Sequence, residues 1–162
     1  MIKLNPKNIK FLVIHHTVSS RDKTTVEDVN SWHKARWPNF RSSLGFWVGY
    51  HFLVLGDGRI IQTRKDNEMG AHCITNDGKV GICLTGNFEI EKPSEQQIAS
   101  LKGILERLKK DYNITDSNIK GHCELSRTLC PGRHLMDWLK GYRRRSILIR
   151  IIQILLRKKI VR

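Results

Sequence analysis

The sequence predicts an α/β fold: a mixed central β-sheet flanked by helices, followed by a basic amphipathic C-terminal helix. Three observations predict it. Short apolar runs of strand length, FLVIHH, VGICLTG and IKGH, are separated by longer segments whose apolar residues recur at helical spacing. Two further apolar segments flank Gly56-Asp57-Gly58, a strong hairpin signal. Strands and helices also alternate along the chain, which implies a sheet covered by helices.

FLVIHH (residues 11 to 16) is a buried strand ending in two polar side chains. Thr24 and Glu27 fit a capping box, so a helix is expected from about Thr25 to Arg36. WPNFRSSLGFW is a loop by its Pro, Ser and Gly content. GYHFLVLGDGRIIQTR is the hairpin, and VGICLTG a second buried strand. Pro93 and Ser94 then open a long helix, with Ser94 as N-cap and Gln97 three residues on. Ile98, Leu101, Ile104, Leu105 and Leu108 give that helix one apolar face. IKGH is a short strand, and HLMDWLKGY the last helix of the core.

Bulk properties limit the class of protein. The chain has 162 residues, enough for one domain with one core, and its 40% hydrophobic and 27% charged content is ordinary for a globular protein. No internal repeat stands out. No apolar stretch reaches the roughly 18 to 20 residues that span a bilayer. The N-terminus shows only a short apolar run before two histidines, so the expected place of synthesis is the cytoplasm, without a signal peptide. Net charge is +14, and eight of the cations, with no acid, lie between Arg143 and Arg162. Such an excess favours anionic partners. Four cysteines in a cytoplasmic chain argue against a disulfide framework. Cys83, inside VGICLTG, is expected to be a small buried hydrophobe.

The stretch GHCELSRTLCP, residues 121 to 131, carries the chemistry. His122 and Cys130 sit eight residues apart across a loop, a spacing that lets two side chains close on one ion. Zinc is held by imidazole nitrogen and thiolate sulfur, and a catalytic site uses three protein ligands with one open position. His15, at the end of a buried strand, is the best-placed third ligand. Spacing alone leaves other triples open, because the chain has seven histidines and four cysteines.

Several segments together resemble the zinc-dependent N-acetylmuramoyl-L-alanine amidases, a family that includes small phage endolysins and the animal peptidoglycan recognition proteins. They are FLVIHHT, SWHKAR, GYHFLVLGDGRI, the run from Gly70 to Asn76, VGICLTGNF and GHCELSRTLCP, in the family's order over roughly residues 10 to 140. The resemblance implies His15, His122 and Cys130 as ligands of one catalytic Zn2+. It implies Tyr50, in GYHF, as the catalytic tyrosine. Some members carry lysine two residues before the cysteine. Here that residue is Thr128, as in the catalytically active recognition proteins. Tyr50 and Thr128 are thus the expected donors to the oxyanion or the activated water. His72 and Asn76 fall in the loop that the family places near its substrate groove, so they are the expected substrate-binding residues. The implied activity is cleavage of the amide between N-acetylmuramic acid and L-alanine in peptidoglycan. His16 and His51 are expected to face away from His15 and Tyr50, because strand side chains alternate. His33 and Cys123 are read as structural and as a bystander, respectively.

The last stretch reads differently. Ser146, Arg150, Gln153 and Arg157 form one polar stripe, and isoleucine and leucine fill most of the rest. A basic helix with a wide apolar face suits an anionic membrane or lipopolysaccharide surface. No nucleic-acid partner is expected, because residues 143–162 hold no aromatic side chain for base stacking. The expected organisation is therefore a catalytic domain over residues 1–142 and a tail over residues 143–162. The setting that fits is an endolysin acting on the cell wall after release at lysis. Two alternatives stand beside it: a cytosolic amidase that recycles anhydro-muropeptides, and a non-catalytic peptidoglycan-binding module.

Overall fold

A computed structural model of the chain describes residues 2–160. Five strands form one sheet in the order β3-β2-β4-β1-β5. They are β1 (Phe11–His16), β2 (Phe52–Val54), β3 (Ile60–Gln62), β4 (Lys79–Leu84) and β5 (Ile119–Gly121). β1 runs parallel to β4 and β5, β2 runs parallel to β4, and only β3 is antiparallel, as the partner of β2 in the expected hairpin. Three α-helices cover the sheet: α1 (Val26–Arg36), α2 (Glu95–Tyr112) and α3 (Arg133–Ile160). This is the α/β architecture with a mixed sheet that the sequence predicts.

Alternation along β1 divides the molecule into two faces. Leu12 and Ile14 point into the larger core, where they meet Leu101, Leu105 and Leu108 of α2 and Leu135 and Leu139 of α3. Fully burying each such side chain contributes about 1.5–3 kcal/mol. On the other face Leu53 and Cys83 pack with Val29 of α1, Val48 and Tyr50. His15 belongs by parity to this second face. Cys83 is fully buried there, the small hydrophobe its sequence context predicts.

The cap of α2 is as expected. The Ser94 hydroxyl accepts the Gln97 N–H, and the Gln97 side chain accepts the Ser94 N–H. Ser94 also donates to the Gly56 carbonyl at 2.7 Å, which fixes the helix start against the hairpin turn. The cap of α1 lies one residue later than expected. Thr25 and Asp28 form the capping box, not Thr24 and Glu27. Thr24 is buried and its hydroxyl donates to Ser19 Oγ at 2.8 Å, so a tertiary partner removes it from the competition.

α3 continues without a break across residues 142 and 143. Arg143, read from sequence as the first residue of the tail, is tied to the body: it donates to the Ile119 carbonyl and pairs with Glu124 at 3.1 Å. The polar stripe Ser146, Arg150, Gln153 and Arg157 falls on side chains outside the described residues, as do Val161 and Arg162 altogether.

Candidate metal centre

The three expected ligands come together because of strand order. β5 lies directly beside β1, with Gly121 opposite Ile14. His15 is the penultimate residue of β1 and His122 follows β5, so the two imidazoles lie side by side, with ring centroids 4.6 Å apart. The loop after His122 then folds back on itself. The Cys123 N–H donates to the Cys130 carbonyl at 2.6 Å, and Thr128 Oγ1 accepts the Cys130 N–H at 3.2 Å. Cys123 thus contributes its backbone to the loop while its side chain is exposed. Glu124 accepts the Gly121 N–H at 2.8 Å and is held in turn by Arg143, so the start of the loop is anchored.

Cys130 Sγ ends 3.6 Å from His15 Nδ1. The ligating atoms of His15, His122 and Cys130 all lie within 4.8 Å of one another. A tetrahedral zinc ion with Zn–N of about 2.0–2.1 Å and Zn–S of about 2.3 Å sets such a nitrogen and sulfur about 3.6 Å apart. The donor set therefore fits zinc in type, number and spacing. A second trio, His15, His72 and Cys73, is similarly close. It fits less well: His15 Nε2 and His72 Nδ1 are 3.0 Å apart, a hydrogen-bond distance, whereas two nitrogens on one tetrahedral zinc lie about 3.3–3.4 Å apart.

That hydrogen bond has a consequence for His15. If Nε2 carries the proton and donates to His72, the Nδ1 lone pair is left facing Cys130. An outer partner that fixes the tautomer and orientation of a ligating histidine is a common feature of metal sites. Burial holds both imidazoles neutral, lowering His15 and His72 well below the usual histidine range, with neighbouring histidines adding to the effect. Burial likewise lowers His122. The Cys130 thiol is pushed up to about 12 by burial, so in the protein alone it stays protonated. A cation against the sulfur inverts that preference.

His72 can take its place only because two glycines leave room. A Cβ on Gly81 would meet the His72 ring at 2.6–2.8 Å, and one on Gly70 would meet it at 2.5 Å. The loop carrying His72 is held by Asn76, whose Oδ1 accepts the N–H groups of His72 and Cys73 while its Nδ2 donates to the Cys73 carbonyl. His72 and Asn76 both line the cleft above the trio, but their hydrogen-bonded atoms are engaged within the protein.

The cleft has a volume of 780 Å³ and is bounded by His15, Tyr50, His122, Thr128 and Cys130, with Trp37 and Arg36 at its α1 side. That size suits a small ligand or a segment of a polymer. Tyr50 lies over His15 at 5.1 Å between ring centroids. Burial, first, and the neighbouring Cys83 and Cys130 sulfurs hold its hydroxyl well above the usual phenol range, so it remains a proton donor at neutral pH. His33 is nearer the site than its sequence context suggests. It lines the cleft, packs against Tyr50 at 5.3 Å and accepts the Gly49 N–H at 2.8 Å. Burial pushes it down to about 4. His16 also borders the cleft, but its ring accepts the Phe88 N–H through Nδ1. His51 is a core residue, bridging Gly81 N–H and the Glu68 carbonyl.

A family model described as N-acetylmuramoyl-L-alanine amidase matches residues 5–133. Peptidoglycan-recognition protein SC1a of Drosophila melanogaster is 28% identical over 144 residues, 83% of this chain and 74% of that protein. Peptidoglycan-recognition protein SD of Drosophila simulans is 32% identical over 128 residues, covering 76% and 67%. Among solved structures, the endolysin N-acetylmuramoyl-L-alanine amidase LysCS from Clostridium intestinale URNW superposes with a TM-score of 0.73 at 30% identity, over 88% of each chain. Peptidoglycan recognition protein LE, in complex with tracheal cytotoxin (a monomeric diaminopimelic acid-type peptidoglycan), gives a TM-score of 0.73 at 27% identity, over 86% and 83%.

Proposed function

This chain belongs to the N-acetylmuramoyl-L-alanine amidase family, and from that premise we propose that it is a zinc-dependent peptidoglycan hydrolase cutting the amide between N-acetylmuramic acid and L-alanine. The observation that carries the reading is the trio His15, His122 and Cys130, with its His15 Nδ1 to Cys130 Sγ spacing of 3.6 Å, at the floor of a cleft that also holds Tyr50 and Thr128.

His15, His122 and Cys130 would hold the ion. Zinc bound there supplies Lewis acidity and makes hydroxide available near neutral pH. The remaining roles belong to the chain. Tyr50, protonated and lying against His15, donates a hydrogen bond to the scissile carbonyl oxygen as negative charge grows on it. Thr128 Oγ1 already accepts the Cys130 N–H, so its hydroxyl proton is free to donate into the cleft. The carbon–nitrogen bond breaks, the water oxygen remains on the lactyl carboxylate, and the amine leaves on L-alanine with a proton. His72 positions His15. Replacing His72 by leucine lowers Zn2+ affinity by about 10–100-fold, and His72→Asn, whose Oδ1 can serve as the acceptor in place of Nδ1, recovers most of it. Titration calorimetry checks this, and equal affinity in the leucine variant rules the role out.

The wider setting we propose is that of an endolysin, made in the cytoplasm and acting on the wall at lysis, with residues 143–162 contacting an anionic membrane or lipopolysaccharide surface. The likeness to the C. intestinale endolysin amidase supports the endolysin reading, and the eight cations of that segment favour the anionic surface. The test is incubation of purified protein with intact peptidoglycan, with and without a chelator. Release of free L-alanine amino termini is expected, abolished by the chelator and restored by Zn2+. Release only from soluble anhydro-muropeptides would instead assign a recycling amidase. Binding to peptidoglycan with no release would assign a recognition module.

A further inference from the structure

α3 changes its exposed chemistry along its length. Leu135 and Leu139 are fully buried on the core side. Leu148 follows Leu139 by nine residues, two and a half turns at 3.6 residues per turn, and so stands on the opposite side of the helix. It is 58% exposed, and Ile152 and Leu156, one and two turns on, are 46% and 56% exposed. These three side chains point away from the core that the first half of the helix packs against.

The turns preceding Leu148 are cationic. Lys140 and Arg144, one turn apart on the same side of the helix, line a pocket of 460 Å³ together with Lys120, Arg143, Thr115 and Ser117. Arg143 is paired with Glu124, and the pocket's acid, Asp116, is paired with Lys109 at 2.6 Å. Lys120 and Arg144 have no ion pair among the described residues, and Lys140 meets only the exposed Asp137, at 3.7 Å. One helix face therefore runs from a hydroxyl- and amine-lined basic pocket into an exposed aliphatic stripe.

We propose that this face is a docking surface for anionic phospholipid, with Lys120, Lys140 and Arg144 taking headgroup phosphates while Leu148, Ile152 and Leu156 enter the acyl boundary. The inference deepens the proposed envelope contact of residues 143–162 and rests on it. The geometry is that of a helix lying in an interface, with cations and aliphatic side chains presented together. Among the described residues no helix is long and apolar enough to cross a membrane, which matches lying on the surface rather than spanning it. Charge complementarity chooses the partner. A second copy would bring the same unpaired cations against themselves, and nucleic acid offers nothing to an aliphatic stripe.

The test is co-sedimentation of the full chain with vesicles of phosphatidylcholine alone and of phosphatidylcholine with 30–40% phosphatidylglycerol, a range of about the anionic content needed for a strong surface potential. Wild-type protein is expected to bind the anionic vesicles and not the neutral ones, more weakly as salt rises. Lys120→Gln/Lys140→Gln/Arg144→Gln is expected to lower the partition coefficient by about 100-fold, near fivefold per cation. Leu148→Gln/Ile152→Gln/Leu156→Gln, which keeps good helix formers in α3, is expected to lower it by at least about tenfold. Unchanged circular dichroism and unchanged hydrolysis of isolated wall by both variants show that the fold is intact. Failure of the wild type to bind any anionic vesicle would sink the envelope contact as a whole. Anionic binding that both variants retain in full would sink only this surface. Equal binding to duplex DNA, or a dimer that the leucine-face variant dissolves, would also overturn it.

Discussion

Replacing Cys130 by alanine is expected to abolish hydrolysis and to cost more zinc affinity than the about 10–100-fold associated with losing an outer partner. The argument begins with the donor set. Two imidazoles and one thiolate make a three-ligand site, and removing the sulfur leaves His15 and His122 as a two-nitrogen site that lacks its only anionic ligand. The thiol is pushed up to about 12 by burial, so in the free protein it holds its proton. Metal binding must then expel that proton, because the thiolate is the ligand. Calorimetry in buffers of different ionisation enthalpy reads the count directly: one proton more is released by wild type than by Cys130→Ala at the same pH. The sign follows, since affinity in the wild type rises with pH below the thiol's pKa, and the variant loses that part of the slope. An alanine variant that binds zinc as wild type does, with the same proton count, would move the ion to another site. The trio of His15, His72 and Cys73 would be the place to look.

The sequence carried the fold in its periodicities and the candidate metal site in its sparse residues. β1 and β4 were legible because parallel central strands are buried on both faces and read as continuous apolar runs, and α2 because five apolar residues and a Ser94–Gln97 cap agree. His15, His122 and Cys130 could be named once several segments were read together, but spacing alone could not show that β5 lies beside β1. The parts that stayed hidden are tertiary. The hydrogen bond between His15 and His72 depends on Gly70 and Gly81 leaving space for a ring, and a glycine reads only as a weakness until its neighbour is known. Asn76 looks like a ligand-binding side chain, yet its amide is spent on its own loop. The α1 cap moved by one residue because Ser19 claims Thr24. His33 gave one available signal, its place on a helix preceding the tyrosine loop, but its proximity to Tyr50 follows from the Gly49 N–H that it accepts.

Tyr50→Phe is expected to separate catalysis from metal binding. The substitution removes one oxygen and keeps the ring that packs against His15 and His33. Zinc affinity should therefore be unchanged, and so should stability apart from the small effect of one hydroxyl. A donor aimed at a developing oxyanion is worth about 10²–10³ in rate when the site is shielded from water. Tyr50 meets the chemical requirement, because burial keeps it protonated across the neutral range and it can donate at any pH at which the wall is cut. The expected result is a fall of about 10²–10³ in kcat with KM little changed, since the bond strengthens only as charge develops. The contrast with Thr128 sharpens the reading. Thr128 is already committed to the Cys130 N–H as an acceptor, so Thr128→Val disturbs the cysteine as well as any donation into the cleft, and its effect should appear in metal affinity too. If Tyr50→Phe retains activity within about threefold of wild type, far short of the loss a donor to the oxyanion implies, the tyrosine is a packing residue of the second face. Thr128, or a backbone N–H of its loop, would then be the donor to the oxyanion.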